Sequence, residues 1–260
     1  MSNDTTTTQQ PNLRRFNLFM GVFHLIQGLV MLLVSDLDFK LPVTTSFLKF
    51  DEATESLVTN LETAFELPLA PMVASFLFMS ALAHFLISAP GIYDWYMTNL
   101  RKGVNYARWI EYAFSSSVMI VAIAMLFGMY DVATLLLIFA LNAMMILFGW
   151  MMELHNQTTE VTDWTAFIFG TIAGVVPWLA IGIYFIGSVT SGEEVPSFVY
   201  VIYVTLFLFF NVFAINMILQ YKKVGRWKDY IYGERVYIIL SLVAKSLLAW
   251  QVFFGTLQPN

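Results

Sequence analysis

Seven stretches of this chain are apolar for about twenty residues or more, at about 16–35, 67–93, 104–128, 132–152, 164–190, 197–221 and 231–254. A bilayer's hydrocarbon core takes roughly 20 helical residues to cross, so each stretch is long enough to span it. Lipid offers backbone amides no water partner, and a helix satisfies them internally. A closed barrel would show ten-residue segments of alternating polarity, which these runs do not. Composition agrees: 58% of the 260 residues are hydrophobic and 12% charged, about half the charge of a soluble domain. The sequence therefore predicts an all-α membrane protein, a seven-transmembrane-helix bundle over 16–254. A polar N-terminal tail, 1–15, precedes it and a short tail, 255–260, follows. The first fifteen residues lack the apolar stretch of a cleaved signal peptide, so insertion is expected to depend on the internal spans. A net charge of −5 argues against a nucleic-acid partner. With no cysteine, disulfides, thiolate metal sites and cysteine nucleophiles are excluded.

Lysine and arginine sort by side. Arg14 and Arg15 precede the first span, and Arg101, Lys102 and Arg108 lie at the second-to-third connection. Lys222, Lys223, Arg226, Lys228 and Arg235 surround the sixth-to-seventh, while the opposite side carries Lys40 and Lys49. The positive-inside rule then places the N-terminus in the cytoplasm and the C-terminus outside a cell membrane. The fourth-to-fifth connection, with Glu153, His155, Glu160 and Asp163, is the cytoplasmic loop without lysine or arginine, and His155 is expected to be solvated there.

The first external loop, about 36–66, is long. Its segment DFKLPVTTSFLKFD alternates apolar and polar residues, which suggests two short strands; the alternative is an irregular acidic loop. An isolated hairpin is marginally stable, so this one is expected to lie against the helices or a second copy of the chain, as in a homodimer.

Ionisable groups within spans are costly and mark function. Lys245 lies about fourteen residues into the last run, roughly 20 Å from its cytoplasmic end at 1.5 Å per residue. An unpaired ammonium there would cost several kcal/mol. An apolar surrounding favours the neutral amine, the form that attacks an aldehyde. Glu111, roughly 10 Å deep in the third run, supplies a counter-charge. A structural Lys245–Glu111 ion pair is the plainer alternative. Arg108 and Ser115, at i−3 and i+4, share the Glu111 face. Arg108 is placed to snorkel or to pair with Glu111. His24 and His84 fall near the depth of Glu111 and suggest, with Arg108, a polar cavity able to take a proton.

A seven-span chain with a lysine in the last span and a carboxylate in the third resembles the microbial-type rhodopsins. The inverted orientation, the long first external loop and several motifs resemble the heliorhodopsin family. The motifs are FHLIQG, SALAHF, NYARWIEYAFSSS, LNAMMILFGWMMELHNQT, LFFNVFAINMILQYK and SLVAKS. The resemblance implies that Lys245 carries all-trans retinal as a protonated Schiff base, with Glu111 as counterion. It implies that Ser241 stands where ion pumps carry a second carboxylate, and that Ser80 approaches the same nitrogen. Tyr112, Ser115, Ser116 and Met119 would line one wall, and Asn142, Met145, Ile146 and Gly149 another. Phe210 would replace a pump tryptophan against the polyene.

Three turns beyond Glu111, where a pump carries a proton donor, stands Ala122. The resemblance therefore implies a non-enzymatic photoreceptor without net ion pumping. No kinase, cyclase or transducer domain is legible in these residues, so output is expected through an unknown cytoplasmic partner. A light-driven ion transporter or channel is the alternative, with Pro177 a candidate break in the fifth span. A zinc-dependent seven-helix hydrolase is remote: it needs a histidine pair in the last span, which has none.

Overall fold

A computed structural model describes residues 6–191 and 195–259. Of the expected N-terminal and C-terminal tails, residues 1–5 and 260 lie outside the described residues. In chain order the elements are α1 (Thr6–Val34), β1 (Lys40–Asp51), β2 (Ser56–Pro68), α2 (Leu69–Ser88), α3 (Ile92–Arg101), α4 (Tyr106–Leu126), α5 (Val132–His155), α6 (Thr165–Thr190), α7 (Ser197–Tyr221) and α8 (Tyr230–Val252). A 3-10 turn, Gly225–Lys228, joins α7 to α8, and a π turn, Phe253–Leu257, extends α8. Among the described residues, seven helices are long and apolar enough to cross a bilayer, with Leu13–Val34 the apolar part of α1. The chain is thus a multi-pass membrane protein.

Helix starts follow local chemistry. Asn105 accepts the Arg108 amide to cap α4, and Asp229 accepts that of Ile231 to cap α8. Asp131 caps α5 by accepting the Thr134 amide and hydroxyl; these bonds hold its carboxyl below the usual range. Between α4 and α5 the chain reverses at Gly128 (φ +85°), a conformation that favours glycine.

Several elements differ from expectation. The second apolar run does not form one helix to residue 93. α2 ends at Ser88, before Pro90, because the residue preceding proline is pushed out of the helical region. A separate short helix, α3, follows. It buries Tyr93, Tyr96, Met97 and Leu100 and exposes Ile92 and Trp95. α6 runs unbroken through Pro177, so the candidate break named for the transporter alternative is not there.

The long loop is an antiparallel hairpin, with a register shift between Val43 and Thr44. Its root is docked on the bundle. Leu41 and Val43 are buried in the apolar core, the Thr44 amide donates to Tyr130 O at 2.8 Å, and Leu69 N donates to Phe39 O. Its outer half leaves Phe47, Leu48, Phe50, Leu57 and Leu61 exposed.

α4 lies centrally, packed on α2, α5, α6 and α7. α6 and α7 meet through ring pairs, Trp178 with Tyr203, Phe207 and Phe210, and Phe185 with Tyr200. This arrangement turns the Glu111 face of α4 toward α2 and α8.

Candidate functional site

Lys245 and Glu111 are in direct contact. Lys245 Nζ donates to Glu111 Oε1 at 2.8 Å and to Ser241 Oγ, one turn earlier on α8, at 3.0 Å. Ser80 on α2 donates its hydroxyl to the same carboxylate oxygen at 2.6 Å. The two charged side chains are 4% and 9% exposed, so the pair is taken almost wholly out of water. Such a pair contributes little net stability, because desolvating both charges offsets their attraction. The Tyr112 ring lies 5.2 Å from Nζ, and its hydroxyl donates to Tyr237 O. Ser115, one turn beyond Glu111, is fully buried.

An apolar cavity of about 390 Å³ reaches Lys245. It lies between α4, α5, α6, α7 and α8, and its α6 wall runs from Ala166 to Leu179, roughly 20 Å of helix. Of the residues expected at the chromophore, Tyr112, Ser116, Met119, Met145, Ile146, Gly149, Phe210, Ser241 and Lys245 line it. Asn142 instead ties α5 to α4, donating to Ser116 Oγ and Ser117 Oγ at 2.8 and 3.0 Å. The sequence reading missed much of the wall: Trp109, Phe167, Trp178, Phe207, Phe213 and Tyr237. Phe210 packs edge-on against Trp178, with ring centroids 5.4 Å apart. The glycines in the wall permit close approach. A Cβ at Gly149 would lie 2.5 Å from the Trp109 ring, and one at Gly174 would collide with Met145 Sδ.

Polar groups gather on another side of the Lys245–Glu111 pair. A second cavity, about 40 Å³, is lined by Asn17, Ser80, His84, Arg108, Glu111 and Glu234 among others. A void of that size can hold water. His84 Nδ1 lies 2.9 Å from Asn17 Oδ1. The His24 ring stacks on His84 at 5.7 Å between centroids, and neither His24 nitrogen has a hydrogen-bond partner among the described residues. The structure thus brings His84 and Arg108 to the Glu111 cavity and sets His24 behind His84.

Arg108 neither snorkels nor pairs with Glu111. Its guanidinium is buried and bridges two carboxylates, Glu153 at the end of α5 and, at 2.6 Å, Glu234 at the start of α8. Glu153 is not in a solvated loop either. It also accepts from Trp109 Nε1 at 2.5 Å, Asn105 N at 3.1 Å and Tyr230 OH at 2.9 Å. Glu234 accepts from Asn105 Nδ2 at 2.6 Å. The guanidinium lies 4.3 Å over Trp109 and 3.9 Å over Tyr237. The buried charges bond to one another and to the polar groups packed around them. By contrast, His155 is half exposed and faces Asp163 at 3.1 Å. Bonds from Thr165, and after them the one from His155, hold the Asp163 carboxyl below the usual range.

This is a rhodopsin-like seven-helix bundle with a buried lysine–carboxylate pair at the end of an apolar slot. The light-driven proton pump LR (Mac) from Leptosphaeria maculans shares the fold, with a TM-score of 0.64 over 93% of this chain and 94% of that one, at 14% identity. The heliorhodopsin family model matches residues 13–257, and the chain belongs to that family. No curated protein matches it. Heliorhodopsins are light-absorbing retinal proteins and not a hydrolase family, which leaves the zinc-hydrolase reading without support. The slot fits such a ligand: it is long and apolar, with a primary amine at its polar end.

Proposed function

We propose that this heliorhodopsin is a light sensor without net ion transport, with all-trans retinal on Lys245 and Glu111 as counterion. The observation that carries the reading is the contact of Lys245 Nζ with Glu111 Oε1 where an apolar slot meets a small polar cavity. Retinal joined through its aldehyde carbon to Nζ, with loss of water, supplies visible absorption and a light-driven isomerisation. The chain's own residues do the rest. Glu111 holds positive charge at Nζ, while Ser80 and Ser241 fix the carboxylate and the amine relative to each other. A proton leaving Nζ has Glu111 within hydrogen-bond reach and His84 in the cavity beyond. Around Ala122, α4 is buried among Met119, Ile120 and Ile123, so the chain offers no acid or base there to continue the path.

Illuminated vesicles should therefore show no sustained pH change, because the proton returns the way it left. A steady, uncoupler-sensitive gradient would promote the transporter reading, which the shared fold with a proton pump favours. Glu111→Gln should move the visible band to longer wavelength. Without the anion, positive charge is no longer held at the nitrogen and spreads along the conjugated chain. A band at the wild-type position would remove Glu111 from the counterion role.

The basic connections support a cytoplasmic N-terminus, and the exposed outer half of the hairpin supports a homodimer through it. A tag at residue 1 should be protected from external protease in intact cells. Deleting about residues 38–50 should weaken the dimer on size exclusion; an unaltered dimer would place the interface elsewhere. The output partner is an unidentified protein at the cytoplasmic end.

A further inference from the structure

The end of the bundle formed by α3 and the α7–α8 turn carries a group of exposed cations. Lys222, Lys223, Arg226 and Lys228 are exposed. Among the described residues, no ion pair involves any of them. The acids nearest in sequence are otherwise engaged: Asp229 caps α8, and Glu234 bonds Arg108 and Asn105. The turn is also held in place. Trp227 Nε1 donates to Asn216 Oδ1 at 2.7 Å, and Gln220 Nε2 donates to Tyr230 O at 3.3 Å. Arg226 lies 4.7 Å over the Tyr232 ring. Val224 is 45% exposed between the cations.

α3 belongs to the same end, because it joins α2 to α4 and packs on α8. It is an amphipathic helix: one side is buried, while Ile92 and Trp95 are exposed and Arg101 and Lys102 are exposed where it ends. The opposite end reverses the charge. There Asp36, Asp38, Asp51, Glu52, Glu55, Glu62 and Glu66 outnumber Lys40 and Lys49.

We propose that the α7–α8 turn and α3 form a docking surface for an anionic phospholipid leaflet. Fixed cations interleaved with exposed Val224, Ile92 and Trp95 match a layer that is anionic at its headgroups and apolar just beneath. An acidic protein surface would meet the same charges but leaves those apolar side chains unexplained. The proposal is independent of retinal.

The test uses the full chain in nanodiscs of phosphatidylcholine mixed with phosphatidylglycerol, with retained lipid read by native mass spectrometry. Wild type should keep phosphatidylglycerol in excess over its share of the bilayer. Replacing all four cations (Lys222→Gln, Lys223→Gln, Arg226→Gln, Lys228→Gln) should cut that excess by roughly tenfold or more. The pair Lys40→Gln and Lys49→Gln, at the other end, should leave it unchanged. A variant with only the three lysines replaced spares the Arg226–Tyr232 contact and should lose most of the excess. Raising salt should lower the wild-type excess without any substitution. No excess in wild type, an equal excess in the four-fold variant, or salt independence would each overturn the proposal and leave the patch to a protein partner.

Discussion

Lys245→Ala protein supplied with all-trans retinal should be colourless, with the visible band lost completely. Every other lysine (Lys40, Lys49, Lys102, Lys222, Lys223 and Lys228) lies in the hairpin or a connection at a bundle end, so none can replace its amine at the slot. The substitution also leaves Glu111 buried without its cation, and breaking a buried pair costs about 3–5 kcal/mol if the survivor stays charged. The double variant Lys245→Ala, Glu111→Gln removes that penalty and should recover most of the lost thermal stability, still without colour. A visible band in either variant would defeat the assignment of Lys245 as the attachment point.

The second large effect is structural. Arg108→Ala should lower stability by about 3–5 kcal/mol, because it strands Glu153 and Glu234 together without their shared guanidinium. It also opens space between Trp109 and Tyr237, which sandwich the guanidinium. The readout is the thermal midpoint in detergent. Adding Glu153→Gln and Glu234→Gln to Arg108→Ala should restore part of the loss, since the remaining amides carry no charge to strand. A midpoint within error of wild type for Arg108→Ala would mean that the cluster does not hold α4, α5 and α8 together.

The sequence was most legible where lipid physics leaves few choices. Seven runs became seven membrane-length helices because a backbone in hydrocarbon has one economical local solution. Lys245 and Glu111 stood out for a related reason: charges in such runs are conspicuous, and they found each other. The alternation in DFKLPVTTSFLKFD suggested two short strands; Lys40–Asp51 forms a single strand through Pro42, and its partner is Ser56–Pro68. Arg108, Glu153 and Glu234 were misread or passed over because each lies within a turn or so of a helix end. A charge there looks anchored in headgroups until the neighbouring helices are in place, and only their packing shows three ends closing over one another. The boundary between α2 and α3 was written as Pro90–Gly91, but Ile92 and Tyr93 continued the apolar count past it. Much of the slot wall escaped for a different reason. In an apolar chain, aromatic side chains such as Trp178 and Phe207 look alike whether they face lipid, a neighbour or a cavity.

Trp109 belongs to two compartments at once. One side of its indole walls the slot, its edge is bonded to Glu153, and the Arg108 guanidinium lies over the ring. The ring cannot tilt to follow a change of shape in the slot without stretching the bond to Glu153 or sliding under the guanidinium. The mechanical stiffness of that wall is therefore not set by van der Waals packing alone. It is set one layer out, by an ionic lattice that acts as a spring against whatever the slot contains.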